Sequence, residues 1–246
     1  MIKKTLIIVG PGGVGKGPLA DLIRNDAVSI DPYRLRPEGP RRESDDPLYA
    51  HPKLRRELHS VLTTLGDSCR QIPCAPEKME WFPTARVLFF TVRGVWQCLI
   101  LHNLDADVAK AELYAPVLPA MLGIAEIKDA VGVPHVLVLN PSSTPLAEMF
   151  DWKDLEKKTE QNCAQRGDSP KSVQQRVGTI PTEAPAWRTL VVHQGAIELT
   201  GWPFPEHRFK TEDRSMLLRE AKDFTLRHAP ELRDFFKDDD ELRTGM

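Results

Sequence analysis

The stretch Thr5-Leu6-Ile7-Ile8-Val9 followed by Gly10-Pro11-Gly12-Gly13-Val14-Gly15-Lys16 decides how the chain is read. A short run rich in β-branched residues and continuously apolar from Leu6 to Val9 predicts a strand buried on both faces, as in a parallel sheet. The turn after it has the G-x-x-x-x-G-K spacing. Glycines let the backbone curl until several N–H groups point at one anion, and a lysine at the end of the curl reaches the outer phosphates of a polyphosphate. Leu19 to Arg24 then carries helical spacing, with Pro18 acceptable in a first turn. Ala27 to Ile30 reads as a second strand that stops at Asp31-Pro32. Strand, glycine turn, helix and strand within about thirty residues make a βαβ unit.

Working outward, residues 32–52 read as a loop containing five prolines and the arginines Arg34, Arg36, Arg41 and Arg42. Lys53 to Leu65 reads as a helix. Arg86 to Val92 and Val95 to Leu101 read as strands joined by a tight turn at Arg93-Gly94. Ile124 to Val131 reads as a short helix and His135 to Leu139 as a buried strand. Asp151 to Arg166 reads as a polar helix, Val173 to Val177 as a short one. Leu190 to Val192 and Ala196 to Leu199 are strand-like, Trp202 to Phe209 reads as a packing loop, and Thr211 to Arg227 as a helix. The segment Glu231 to Leu242 is charged and reads as frayed. Buried strands alternating with helices favour an α/β fold: a three-layer α/β/α sandwich with a mainly parallel sheet.

Composition agrees with a globular chain. Its 246 residues are 41% hydrophobic and 28% charged, with a formal charge of −2, so no overall basic field points to nucleic acid or membrane. The four cysteines form no CxxC pair and no zinc-like spacing, which suits reduced thiols in a cytoplasmic protein. The apolar run Leu6 to Val9 is too short for a signal peptide core, and no run approaches the length needed to cross a bilayer.

Gly10 to Gly17 resembles the phosphate loop of nucleoside monophosphate kinases, whose adenylate and cytidylate branch also has glycine after the lysine. That branch has a threonine one place later; this chain has Pro18, so neither Gly17 nor Pro18 offers the hydroxyl that holds magnesium. Magnesium would then rest on carboxylates and water, or the site would bind phosphate without efficient catalysis. His135 to Asn140 with Pro141-Ser142-Ser143 is similar to the fourth strand of guanylate kinases and its loop. Arg166-Gly167-Asp168, with Arg176 ten residues after Arg166, resembles a lid segment carrying two transfer arginines. Val28-Ser29-Ile30-Asp31-Pro32-Tyr33-Arg34 is similar to the D-x-x-R of polynucleotide-kinase-like and zeta-toxin-like phosphotransferases, where the aspartate deprotonates an acceptor hydroxyl.

These resemblances imply a P-loop NTP hydrolase fold with a helical lid. Residues 1–210 would form the kinase domain, with a lid at about 150–180 and an acceptor insert at about 32–80; 211–246 would be a helical extension. The implied activity is ATP-dependent phosphotransfer to a nucleotide, nucleoside or related acceptor. ATP would be held by Gly10, Gly12, Gly13, Val14, Gly15, Lys16, Gly17 and Pro18. Lys16, Asp31, Arg166 and Arg176 would be catalytic, while Asp31, Arg34, Arg36 and Arg41 would bind the acceptor. Asp31 and Asp105, the latter after an apolar run, are the candidate Mg2+ ligands, and Glu112 reads equally as a ligand or a surface residue. Two alternatives stay open: a hydroxyl kinase acting on a nucleic acid or modified base, and an ATP-binding module that has lost catalysis.

Overall fold

The computed structural model describes residues 4–34, 70–71, 85–92, 95–102, 107–112, 118 and 133–238. The first strand, β1 (Lys4–Val9), leads through the glycine turn into α1 (Lys16–Ala20), and β2 (Val28–Arg34) follows. Next come β3 (Arg70–Gln71), β4 (Ala85–Val92), β5 (Val95–His102), β6 (Val108–Glu112) and β7 (Val133–Asn140). The helices α2 (Lys153–Gln165), α3 (Pro170–Val177) and α4 (Ile180–Gln194) precede β8 (Ile197–Thr200). The short α5 (Arg208–Thr211), then α6 (Arg214–His228), and a 3-10 turn at Pro230–Phe235 complete the described chain.

The strands form one sheet in the order β3-β4-β5-β2-β6-β1-β7-β8. Pairings from β2 through β6, β1 and β7 to β8 are all parallel. This is the α/β arrangement expected from alternating buried strands and helices. The expected hairpin is present, with Val92 opposite Val95, and it extends the sheet with antiparallel strands on the β2 side.

The alternation of β1 sorts the core into two halves. Ile7 and Val9 face a cluster with Val136, Val138 and the α4 residues Ile180, Ala184, Trp187 and Leu190. Leu6 and Ile8 face the opposite cluster, with Leu137, Leu139, Leu19 of α1 and Leu217 and Ala221 of α6. Every one of these β1 side chains is fully buried, as a strand covered by helices on both faces requires.

Four expectations need correction. Leu190 to Val192 is helical: Ile180, Ala184, Trp187 and Leu190 recur at helical spacing on one buried face, a period that Pro181 and Pro185 hid in the sequence. The helix expected over Leu19 to Arg24 stops at Ala20. Its continuation is captured by the C-terminal segment: Arg24 N donates to Phe235 O at 3.0 Å, Lys237 N donates to Leu22 O at 2.9 Å, and Ile23 bridges Phe236. Correspondingly, the segment expected to fray is seated, with Leu232, Phe235 and Phe236 buried. Finally, β2 does not end before Asp31. It pairs with β6 only at Val28 and Ser29, then runs on against β5, with Asp31 opposite Ile100 and Arg34 opposite Gln97. Beyond Ser29 the described partner lies on one side only, the situation in which a strand accepts a proline such as Pro32. The helices read at Lys53 to Leu65 and Ile124 to Val131 lie outside the described residues.

α6 shares its cluster with β1, so it belongs to the same core as the glycine turn. Leu217→Ala should lower the unfolding free energy of the whole cooperative unit by about 2–5 kcal/mol, read as a shifted denaturant midpoint at unchanged slope. An unchanged midpoint would show that α6 is dispensable to the core.

Candidate functional site

The glycine turn leaves β1 at the carboxyl edge of the sheet. From β1 the chain crosses toward β2, and from β7 it crosses the other way to β8, so the turn sits where strand order reverses. Ligands bind at that crevice in open α/β sheets.

Two close approaches hold the turn in shape. Gly15 has φ +90°, and a Cβ there would stand 2.3 Å from Phe204 O; Gly10 has φ +148°, and its Cβ would stand 2.8 Å from Leu139 O. No other residue fits either place without moving backbone. The carbonyls of the turn are drawn outward onto the segment after β8. Trp202 Nε1 donates to Val14 O at 2.8 Å, and Glu206 N donates to Gly13 O at 2.9 Å. Gly13, Val14 and Gly15 are buried. Among the described residues, no acceptor serves the amides of Gly12, Gly13, Gly15 or Gly17. Buried N–H groups are nearly always paired, so amides with no acceptor among the described residues can receive the oxygens of an anion.

Lys16 closes the ring. Its Nζ donates to Gly10 O and Pro11 O, both at 2.9 Å, which places the ammonium over the mouth of the turn. α2 and α3 bring two arginines to the same place. Arg176 lies against Gly12, where an added Cβ would stand 3.1 Å from its Cδ and 3.2 Å from its Nη1. Its Nε is 3.1 Å from Asp168 Oδ2, at ion-pair distance. Arg166 Nε donates to Asp168 Oδ1 at 2.9 Å, its Nη2 to Asp168 Oδ2, and its Nη1 to Glu206. Since Glu206 also donates its amide to Gly13 O, the network is tied directly to the turn. The hydrogen bonds from Arg166 hold the Asp168 carboxyl below the ordinary range. Glu206 is also held low: burial opposes this, but Arg166 and Lys210 prevail.

The sequence reading brought Gly10, Gly12, Gly13, Val14, Gly15, Lys16, Arg166 and Arg176 to one site, and the structure places them together. Pro18 is turned into the core as part of α1. Arg166 differs from expectation, because its guanidinium is engaged by two carboxylates and is only 12% exposed. Asp31 lies in the middle of β2, in register with Ile100, and Arg34 is the last residue of that strand, in register with Gln97. Arg36, Arg41 and Asp105 lie outside the described residues. Asp107 O accepts from Lys4 N at the start of β1, so the chain enters β6 at the edge opposite the glycine turn. Glu112, opposite Ile8 in register, lies at the carboxyl end of β6, nearer the turn.

Three participants were missed. Glu206 and Trp202 lie in the stretch read as mere packing, and a tryptophan and a glutamate beside a Pro-x-Pro were the available signals. Cys163 is buried against the turn, with Sγ 3.3 Å from where a Gly13 Cβ would be. Burial pushes its thiol up, so it is an inert wall. Glu183, in the first turn of α4, is 9% exposed, and burial raises its carboxyl above the usual value. Among the described residues no group of three metal-ligating side chains occurs, and no helix is long and apolar enough to cross a membrane. Compared with protein-family models and with curated protein sequences, the chain matches none.

The Asp168 network carries a pH signature. A depressed folded pKa means its stabilisation is fully present above the unfolded carboxylate value of about 4 and is lost as pH falls through the lower folded value. Asp168→Asn should therefore cost about 1.5–3 kcal/mol at pH 7 and flatten the loss of stability below pH 4, checked by denaturant titrations at several pH values.

Proposed function

We propose that this protein is an ATP-dependent phosphotransferase of the P-loop kinase kind, moving the γ-phosphoryl group to a nucleotide, nucleoside or related acceptor. The observation that carries the reading is the run of amides at Gly12, Gly13, Gly15 and Gly17 with no acceptor among the described residues, closed by Lys16 and flanked by Arg176. Such a run suits the phosphate chain of a nucleoside triphosphate better than a single small anion, because it extends over several residues.

Each residue has a role in this reading. The amides from Gly12 to Gly17 bind the donor phosphates. Lys16 exchanges its two carbonyl partners for phosphate oxygens, a trade of neutral acceptors for charged ones that favours the bound state. Arg176, already against Gly12, supplies planar donors to charge that develops during transfer. α2 and α3, over residues 150–180, act as the lid that keeps water from the transferring group. Magnesium bound with ATP would neutralise part of the charge on its outer phosphates; Gly17 and Pro18 offer it no side-chain oxygen, so carboxylates and water would hold it. The acceptor belongs to the 32–80 side of the sheet, with Asp31 and Arg34 as its contacts in β2. A hydroxyl acceptor, on a nucleic acid or modified base, would use Asp31 as base.

A second reading, an ATP-binding module without catalysis, is favoured by one specific observation. Arg166 is bound by Asp168 and Glu206 and is not directed at the space where phosphates would lie.

Titration calorimetry with ATP and a transfer screen with labelled ATP test both readings. Lys16→Ala should weaken ATP binding by about 10–100-fold. Against nucleosides, nucleoside monophosphates and 5′-hydroxyl oligonucleotides, one class should accept the label, and Arg176→Ala should slow that transfer by about 10³-fold or more. ATP binding with no transfer to any acceptor would leave the module reading. Failure of the wild-type protein to bind ATP would overturn both.

A further inference from the structure

Arg166 has two carboxylate partners, and they belong to different parts of the molecule. Asp168 lies on the same stretch of chain, accepts from Arg166 Nε at 2.9 Å, and stands 3.1 Å from Nε of Arg176 in α3. Arg166, Asp168 and Arg176 therefore form one body with the adjoining parts of α2 and α3. Glu206 lies on the segment after β8, and its amide donates to Gly13 O at 2.9 Å. The hydrogen bond from Arg166 Nη1 to Glu206 Oε2 thus crosses from the two helices to the segment that shapes the glycine turn.

The helices also lie on the turn itself. A Cβ at Gly12 would stand 3.1 Å from Arg176 Cδ and 3.4 Å from Cys163 Sγ, and one at Gly13 would stand 3.3 Å from Asn162 Cβ. Atoms that close leave no gap for a phosphate on that side of Gly12 and Gly13. The near end of α2 is anchored in the core, where Leu155 shares a cluster with Trp187 and Leu190 of α4. Its far end, Asn162 to Arg166, lies over the turn and is tied there through Glu206. The tie is partly sheltered from water, because the Arg166 side chain is 12% exposed and that of Glu206 28% exposed. Charge pairs in such places hold more firmly than fully exposed ones. The tie can also open without stranding a charge. Arg166 keeps Asp168, and Glu206 keeps Lys210, whose Nζ is 3.3 Å from Glu206 Oε1. A bond whose two halves each have a second partner can break and re-form at modest cost.

Building on the phosphotransferase reading, we propose that the Arg166–Glu206 pair is a latch that holds the far ends of α2 and α3 on the glycine turn, so that nucleotide enters and leaves at a rate set by its opening.

The test is stopped-flow binding of ATP carrying a fluorescent N-methylanthraniloyl ribose to the full chain, for wild type, Glu206→Gln, Glu206→Asp and Lys210→Ala. Glu206→Gln should raise the association and dissociation rates together, by about tenfold each, and leave their ratio nearly constant. Faster binding also shows that the variant is folded. Glu206→Asp, which keeps the charge on a shorter arm, should return the rates part of the way toward wild type. Lys210→Ala removes the partner to which Glu206 turns when the latch opens, so it should slow both rates. Wild-type rates in Glu206→Gln would overturn the latch. So would a change confined to dissociation, which would make Glu206 a contact of the bound nucleotide, and so would faster exchange in Lys210→Ala. Absence of analogue binding by the wild-type protein would instead defeat the phosphotransferase reading itself.

Discussion

The contact between Gly15 and the carbonyl of Phe204 sets the geometry on which the rest of the site depends. With 2.3 Å between that oxygen and any added Cβ, the turn can lie against the segment after β8 only because residue 15 has no side chain. The same segment takes the carbonyls of Gly13 and Val14 as acceptors, through Glu206 N and Trp202 Nε1. A peptide group has its N–H and C=O on opposite sides. Fixing the carbonyls toward one neighbour therefore fixes the amides toward the other side, where no protein acceptor is described. The anion-binding character of the turn is thus imposed from outside it, by residues nearly two hundred positions away.

Around this turn the charges are balanced rather than simply positive. Lys16 and Arg176 stand at the mouth, while Arg166 is neutralised by Asp168 and Glu206. Asp168 touches both arginines, so it couples the end of α2 to the end of α3 and holds Arg176 in place without consuming its outer nitrogens. A protein that gathers cations for a ligand must keep them together when the ligand is absent, and paired carboxylates do so at modest cost in stability.

The foundation of the site is equally non-local. α1 is a single short turn of helix, too short to be stable alone. It is held by Leu19 in the cluster beneath β1 and by the backbone bonds between Leu22 to Arg24 and the C-terminal segment. The last described residues therefore brace the element that follows the glycine turn. A chain cut before Pro230 would leave Leu22 O and Arg24 N without these partners.

What the sequence determined by itself is the local part. The uniform apolarity of Leu6 to Val9 and Val136 to Leu139 required strands covered on both faces, and the glycine spacing from Gly10 to Gly15 required a curled backbone ending at Lys16. Both follow from sterics and periodicity within a few residues. The pairing of Arg166 and Arg176 with the turn was legible only through resemblance. Other features left no local trace. Pro181 and Pro185 masked the period of α4, and β2 continued past Asp31-Pro32 because β5 offered it a partner. Trp202 and Glu206 looked like filler. The roles of Glu206 and the C-terminal segment depend on which backbone groups and charges face one another across the folded core. Only tertiary structure decides that, because a hydrogen bond or a desolvated charge is a property of two surfaces brought together and not of either stretch of chain.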